Sequence, residues 1–132
     1  MRAAKAGGSL GIGRVEVREL PDKAGPTRKT LEGQSLLQKR AAGVLVALDE
    51  RGKPWDSETL ANSLRTWSES GTANATFALG GADGHPDEVR EAADVVLSLS
   101  ALTLPHLLAR VVLLEQIYRG ITICAGHPYH RS

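Results

Sequence analysis

The chain has 132 residues, a length that suits one domain with a real core. Its 42% hydrophobic and 23% charged residues are those of an ordinary soluble protein, and no apolar run approaches the ~20 residues that span a bilayer. A formal net charge of +1 is weak for a nucleic-acid binder, and a single cysteine, Cys124, excludes an intramolecular disulfide and a cysteine metal cluster.

Met1 to Gly13 carries basic residues without the apolar stretch of a signal peptide, so cytoplasm is the expected compartment. Val15-Glu16-Val17-Arg18 alternates apolar and charged residues, as a half-buried strand does. Pro21 to Pro26 is a loop, and Thr27 to Ala42 favours helix despite Gly33. Val44-Leu45-Val46-Ala47-Leu48 reads as a strand buried on both faces, with a turn at Asp49 to Lys53. Asp56 is a good N-cap, and Leu60, Leu64 and Trp67 mark one face of a helix that Gly71 ends. Ala75 to Leu79 is the next strand, closed by Gly80-Gly81. Pro86 opens a short helix that runs to Ala93.

Val95 to Leu99 is a short apolar run of buried-strand length. A loop of small and apolar residues follows, and its backbone groups have no evident partners. Pro105 then opens a helix carrying Leu104, Leu108, Val111, Val112 and Glu115 at helical spacing, with Gly120 as its stop. Strands alternating with helices predict an α/β fold, a parallel sheet flanked by helices. Ligands of such sheets bind beyond the carboxyl ends of the strands, so the loops after Leu48, Leu79 and Leu99 open on one edge. Arg28-Lys29 and Lys39-Arg40 are basic pairs that read as solvated faces rather than as a nucleic-acid footprint.

Ser98-Leu99-Ser100-Ala101-Leu102-Thr103-Leu104-Pro105-His106, Glu115-Gln116-Ile117-Tyr118-Arg119 and His127-Pro128-Tyr129-His130-Arg131 resemble the C-terminal half of the RNA large subunit methyltransferase H family. The similarity continues upstream through Leu79-Gly80-Gly81 and Gly52-Lys53-Pro54-Trp55-Asp56, and it covers roughly the last two thirds of the chain. That family belongs to the SPOUT class of S-adenosylmethionine-dependent RNA methyltransferases. The resemblance implies a single SPOUT domain over residues 1–132, with a C-terminal trefoil knot made where the chain after Gly120 passes through the loop that follows the last strand. It implies a homodimer, with each active site at the dimer interface. The implied reaction is methylation of N3 of a pseudouridine in helix 69 of 23S rRNA, on ribosomes, without metal or membrane. Two departures stand out. Ala3 to Gly13 matches only the end of the family's first helix, so the first strand and most of that helix are expected to be missing. Gly126 stands where an asparagine is common.

Under the resemblance, Leu48, Gly80, Gly81 and the run Leu99, Ser100, Ala101, Leu102, Thr103 and Leu104 hold S-adenosylmethionine. An adenine needs backbone hydrogen bonds on its edge and aliphatic contacts on its faces, which these residue types supply. Taken alone, Gly80-Gly81 reads equally as a bare turn. N3 of the neutral base carries a proton, so methyl transfer calls for a proton acceptor or a charge-stabilising group. His130, Tyr129 and Arg131 combine stacking, proton-accepting and phosphate-binding groups, while a frayed tail is the bland alternative. His106 is the alternative base, or a structural hydrogen bonder; Arg119 is a further candidate. A non-catalytic cofactor- or RNA-binding module and a flavodoxin-like nucleotide binder are the competing classes. The second does not account for the His127 to Arg131 ending.

Overall fold

The structure, a computed structural model, describes residues 25–72, 74–80 and 84–126. The expected strand at Val15 to Arg18 and the family's N-terminal elements at Ala3 to Gly13 lie outside the described residues, as does the tail from residue 127. The element order is α1 (Arg28–Lys39), β1 (Val44–Pro54), α2 (Ser57–Glu69), β2 (Ala75–Leu79), α3 (Asp87–Ala92), β3 (Val95–Ser98) and α4 (His106–Cys124). The chain divides into two compact units. One holds α2 with residues 111–126, which include most of α4; the other holds the sheet, α1, α3 and the start of α4.

In the sheet unit, three parallel strands run in the order β2-β1-β3. The middle strand is built from the apolar run whose lack of alternation predicted burial on both faces. Leu45, Val46 and Ala47 are fully buried, and Leu48 nearly so. Asp94 fastens the start of this strand: its carboxylate accepts from Leu45 N at 2.8 Å, and its own N–H donates to Leu45 O at 2.8 Å. Gly33, the residue that weakens the helical reading of α1, faces α3. A Cβ there would run into the Pro86 ring and sit 3.1 Å from Val89. Its missing side chain is a packing requirement.

The turn expected at Asp49 to Lys53 is a bulge inside a longer strand. Leu48 and Lys53 both register against Leu97, so the residues between them step out of the ladder and return. Asp49 starts the step by accepting from Arg51 N at 2.9 Å, the local side-chain bond that aspartate favours in turns. Gly52 completes it by lying on the backbone of β3; a Cβ would stand 2.6 Å from Val96 C and O. Backbone cannot yield as a flexible side chain can. Gly52→Ala should therefore cost about 1–3 kcal/mol, the range for forced overpacking. The check is the denaturant midpoint, with an unchanged slope marking a shift in stability alone.

In the other unit, Asp56 caps α2 by accepting from Thr59 N at 2.7 Å. Gly71, at φ +81, ends it with the bond pair Gly71 N to Ser68 O and Thr72 N to Trp67 O. Leu60, Ala61 and Leu64 are its buried face. The helix α4 does not stop at Gly120. That glycine is buried in mid-helix, where a Cβ would meet Leu64 Cδ1 at 2.9 Å and Ala61 Cα at 3.7 Å. It brings two helices together, and the stop is Gly126 at φ +72, whose N–H reaches Ile123 O. Ser57 Oγ donates to Gln116 Oε1 at 2.6 Å, and Cys124 Sγ to Ala61 O at 3.0 Å. Burial raises the Cys124 thiol above its usual value, so it stays protonated at neutral pH.

Candidate cofactor edge

Parallel pairing sets the ends of all three strands on one edge. Leu48 is level with Leu79 of β2 on one side and with Leu97 of β3 on the other. The residues expected to hold a cofactor leave from this rung. Leu48 is buried, Gly80 is half-buried, and Gly81 lies outside the described residues. Leu99, Ser100 and Leu104 are half-buried, while Ala101, Leu102 and Thr103 are exposed, Leu102 at 75%.

The loop after β3 is more organised than its sequence suggested. Ser98 Oγ donates to Ser100 O at 2.9 Å, and Leu102 N donates to Ser100 Oγ at 2.9 Å. Two serines thus satisfy backbone groups that seemed partnerless, and they hold Leu102 outward. Gly80 has a double reading. A Cβ on it would lie 2.7 Å from Gly84 C and 2.9 Å from His85 N. Glycine is required there to close the loop on itself, whatever approaches from outside. Such an edge, with apolar side chains beside a loop backbone that cannot be crowded, fits a flat heteroaromatic ring.

Beneath the loop after β2 lies a group that the sequence did not disclose. His85 is 3% exposed, and its Nε2 donates to Ala78 O at 2.8 Å. The carbonyl can only accept, so the buried ring carries its proton on Nε2. Arg90 Nη1 donates to His85 O at 2.8 Å and stands 3.5 Å from Asp49 Oδ2; Arg90 Nη2 pairs with Asp87. Asp49, with its side chain 6% exposed, also binds Arg51 Nε at 3.1 Å. Sequence spacing gave no sign of this cluster, because Asp49 and Arg90 are 41 positions apart.

These groups set a pH dependence. Burial holds the His85 imidazole below its usual 6.5, against the opposing hydrogen bond to Ala78. The unfolded chain therefore takes up a proton that the folded chain resists. Stability should fall as pH drops below about 6.5, and go on falling until the folded-state value is reached. Burial would raise Asp49, but hydrogen bonds and charge from Arg51, with the charge of Arg90, outweigh it and hold the carboxyl below its usual 3.8. Its contribution is present above 3.8 and lost only as pH falls through the lower folded-state value. Melting followed between about pH 7.5 and 5 therefore isolates the histidine, and His85→Leu should flatten the slope. Equal slopes for the two proteins would remove His85 as its source.

Of the candidates for proton transfer, His106 is exposed in the first turn of α4. Tyr129, His130 and Arg131 lie outside the described residues. Arg119 is engaged with Glu115, Nε at 2.9 Å and Nη2 at 2.7 Å from Oε1, and Gln116 Nε2 holds the other oxygen at 2.9 Å. Among the described residues, no three His, Cys, Asp or Glu side chains gather to hold a metal ion, and no helix is long and apolar enough to cross a membrane.

Comparison with known proteins places these features in context. The family model described as "Predicted SPOUT methyltransferase" matches residues 6–130. The chain is 47% identical, over 134 residues, to the ribosomal RNA large subunit methyltransferase H of Chelativorans sp. (strain BNC1), covering 99% of this chain and 78% of that protein. The protein of that name from Paramagnetospirillum magneticum is 47% identical over 117 residues, 88% of this chain and 77% of its own length. That of Brucella anthropi is 44% identical over 135 residues, 99% of this chain and 84% of its own.

Proposed function

The chain belongs to the SPOUT methyltransferase family, and we propose that it methylates large-subunit ribosomal RNA, at N3 of a pseudouridine in helix 69 of 23S rRNA, on ribosomes. The observation that carries the reading is the shared edge: Leu48, where β1 enters its bulge, is level with Leu79 and Leu97, and Gly80 and the run Leu99 to Leu104 follow those two residues closely in the chain. S-adenosylmethionine is the methyl donor for which these residues, with Gly81, form the site; it supplies an electrophilic methyl group on a positively charged sulfur. The apolar walls are Leu48 and Leu102, and the backbone of residues 99–104 reads the edge of the adenine. The protein's own share of the chemistry is alignment of the acceptor nitrogen and disposal of its proton. His130, Tyr129 and Arg131 are the groups for that task, with His106 as the alternative base. We assign the whole of residues 1–132 to one domain, knotted at its C-terminus, working in the cytoplasm.

The active form is a homodimer. The side chains that support it lie on α4, where Leu107 is 72% exposed and Leu108 47%. Such side chains seldom stay uncovered side by side without a partner. The decisive experiment is transfer of a labelled methyl group from S-adenosylmethionine to ribosomes lacking the modification. Labelled rRNA, mapped to a pseudouridine N3, is the expected result. Donor binding without transfer would mark a non-catalytic binding module instead.

A further inference from the structure

The Arg90 side chain joins the β1 bulge to the residues that lead into α3. Its guanidinium touches the Asp49 carboxylate in the β1 bulge, the His85 carbonyl in the loop after β2, and Asp87 in the first turn of α3. Asp49 directly follows Leu48. His85 directly follows Gly84, whose backbone packs against Gly80, and the His85 ring is fastened to Ala78 O. The two loop ends bearing Leu48 and Gly80 are therefore held to each other through one planar, forked cation. A lysine in that place would offer a single point of charge and could not span the three oxygens.

We propose that Arg90 is a positioning residue of the methyl-donor site, setting the spacing between the Leu48 and Gly80 walls through Asp49 and the His85 carbonyl. The inference rests on the reading of this edge as the S-adenosylmethionine site. Arg90 does not itself touch the donor; it fixes the two walls that do. A neutral chain of similar length, Arg90→Met, removes the fork between Asp49 and the His85 carbonyl and leaves Asp49 with Arg51 as its remaining cation. A displaced wall loosens contacts that the donor makes equally in the ground state and the transition state, so the loss falls on binding.

The test is donor titration by calorimetry on the full-length protein, beside methyl transfer to ribosomes and thermal melting. For folded Arg90→Met, the donor Kd and KM should rise about tenfold while kcat falls less than about twofold, the pattern of lost ground-state positioning. Arg90→Lys should recover part of the affinity. In a cycle with Asp49→Asn, the double variant should lose less than the product of the single losses, because the two groups act as one unit. Wild-type affinity in a folded Arg90→Met or Arg90→Lys protein overturns the inference, and so do losses that simply multiply. Unfolding of both variants overturns it as well, since the cluster is then structural. A wild-type protein that binds no S-adenosylmethionine overturns the proposed function, and this inference with it.

Discussion

Deleting Tyr129 to Ser132 should lower methyl transfer to ribosomes by at least about a hundredfold, the scale on which a positioned acid–base group acts. S-adenosylmethionine affinity and the dimer should be largely unaffected. Tyr129, His130 and Arg131 lie downstream of every residue assigned to the donor, so their removal leaves Leu48, Gly80 and residues 99–104 in place. Their chemistry suits the acceptor. An aromatic ring stacks on a base, an imidazole accepts a proton near neutral pH, and a guanidinium holds a phosphate. Arg131→Ala alone should cost less, with a deficit that shrinks at higher salt, because the variant has one fewer phosphate contact left to screen. Labelled-methyl transfer and donor calorimetry on the same samples read both arms. Full activity after the deletion would return the base to His106. Loss of donor binding would place the tail inside the donor pocket.

The features legible in the sequence are those whose cause is local. The burial of Leu45 to Leu48 follows from an apolar run with no alternation, and the parallel sheet from strands spaced by helices. Asp56 and Gly71 bound α2 because an N-cap and a left-handed stop each depend on a few neighbouring residues. Gly120 shows where locality fails. A glycine in a helical pattern reads as a stop, whereas here it packs against Leu64 and Ala61 of α2, which are far away in sequence. Gly126 is the stop, since glycine accepts the positive φ that ends the helix. The bulge after Leu48 was half visible. Aspartate and glycine announced a turn, but only β3 could reveal that the chain returns to pair again at Lys53. The edge proposed for the donor could be drawn from the sequence as a set of strand ends, while the side chains beneath it could not. Asp49, His85 and Arg90 carry no shared spacing, and their meeting is a product of the register that sets Leu48 beside Leu79.

Leu107→Asp should convert the protein to a monomer and reduce methyl transfer to ribosomes by about a hundredfold or more, because each proposed site draws its acceptor-side groups from the partner's tail. The substitution suits this purpose for a physical reason. Leu107 stands in the first turn of α4, where an acidic side chain is favoured by the helix dipole, and it is already 72% exposed in the protomer. The isolated protomer therefore loses almost no burial, and its melting temperature at high dilution should be close to that of the wild type. Across a dimer interface, two carboxylates would be brought out of water without partners, at a cost on the order of several kcal/mol. Leu108, at 47% exposure, and Val111, at 62%, lie on the same face at helical spacing, so one charge interrupts the whole stripe. Sedimentation gives the oligomeric state, and labelled-methyl transfer gives the activity. A dimer that survives Leu107→Asp would move the interface to another face. A monomer with full activity would show that each protomer carries a complete site, and would separate the function of the tail from dimerisation.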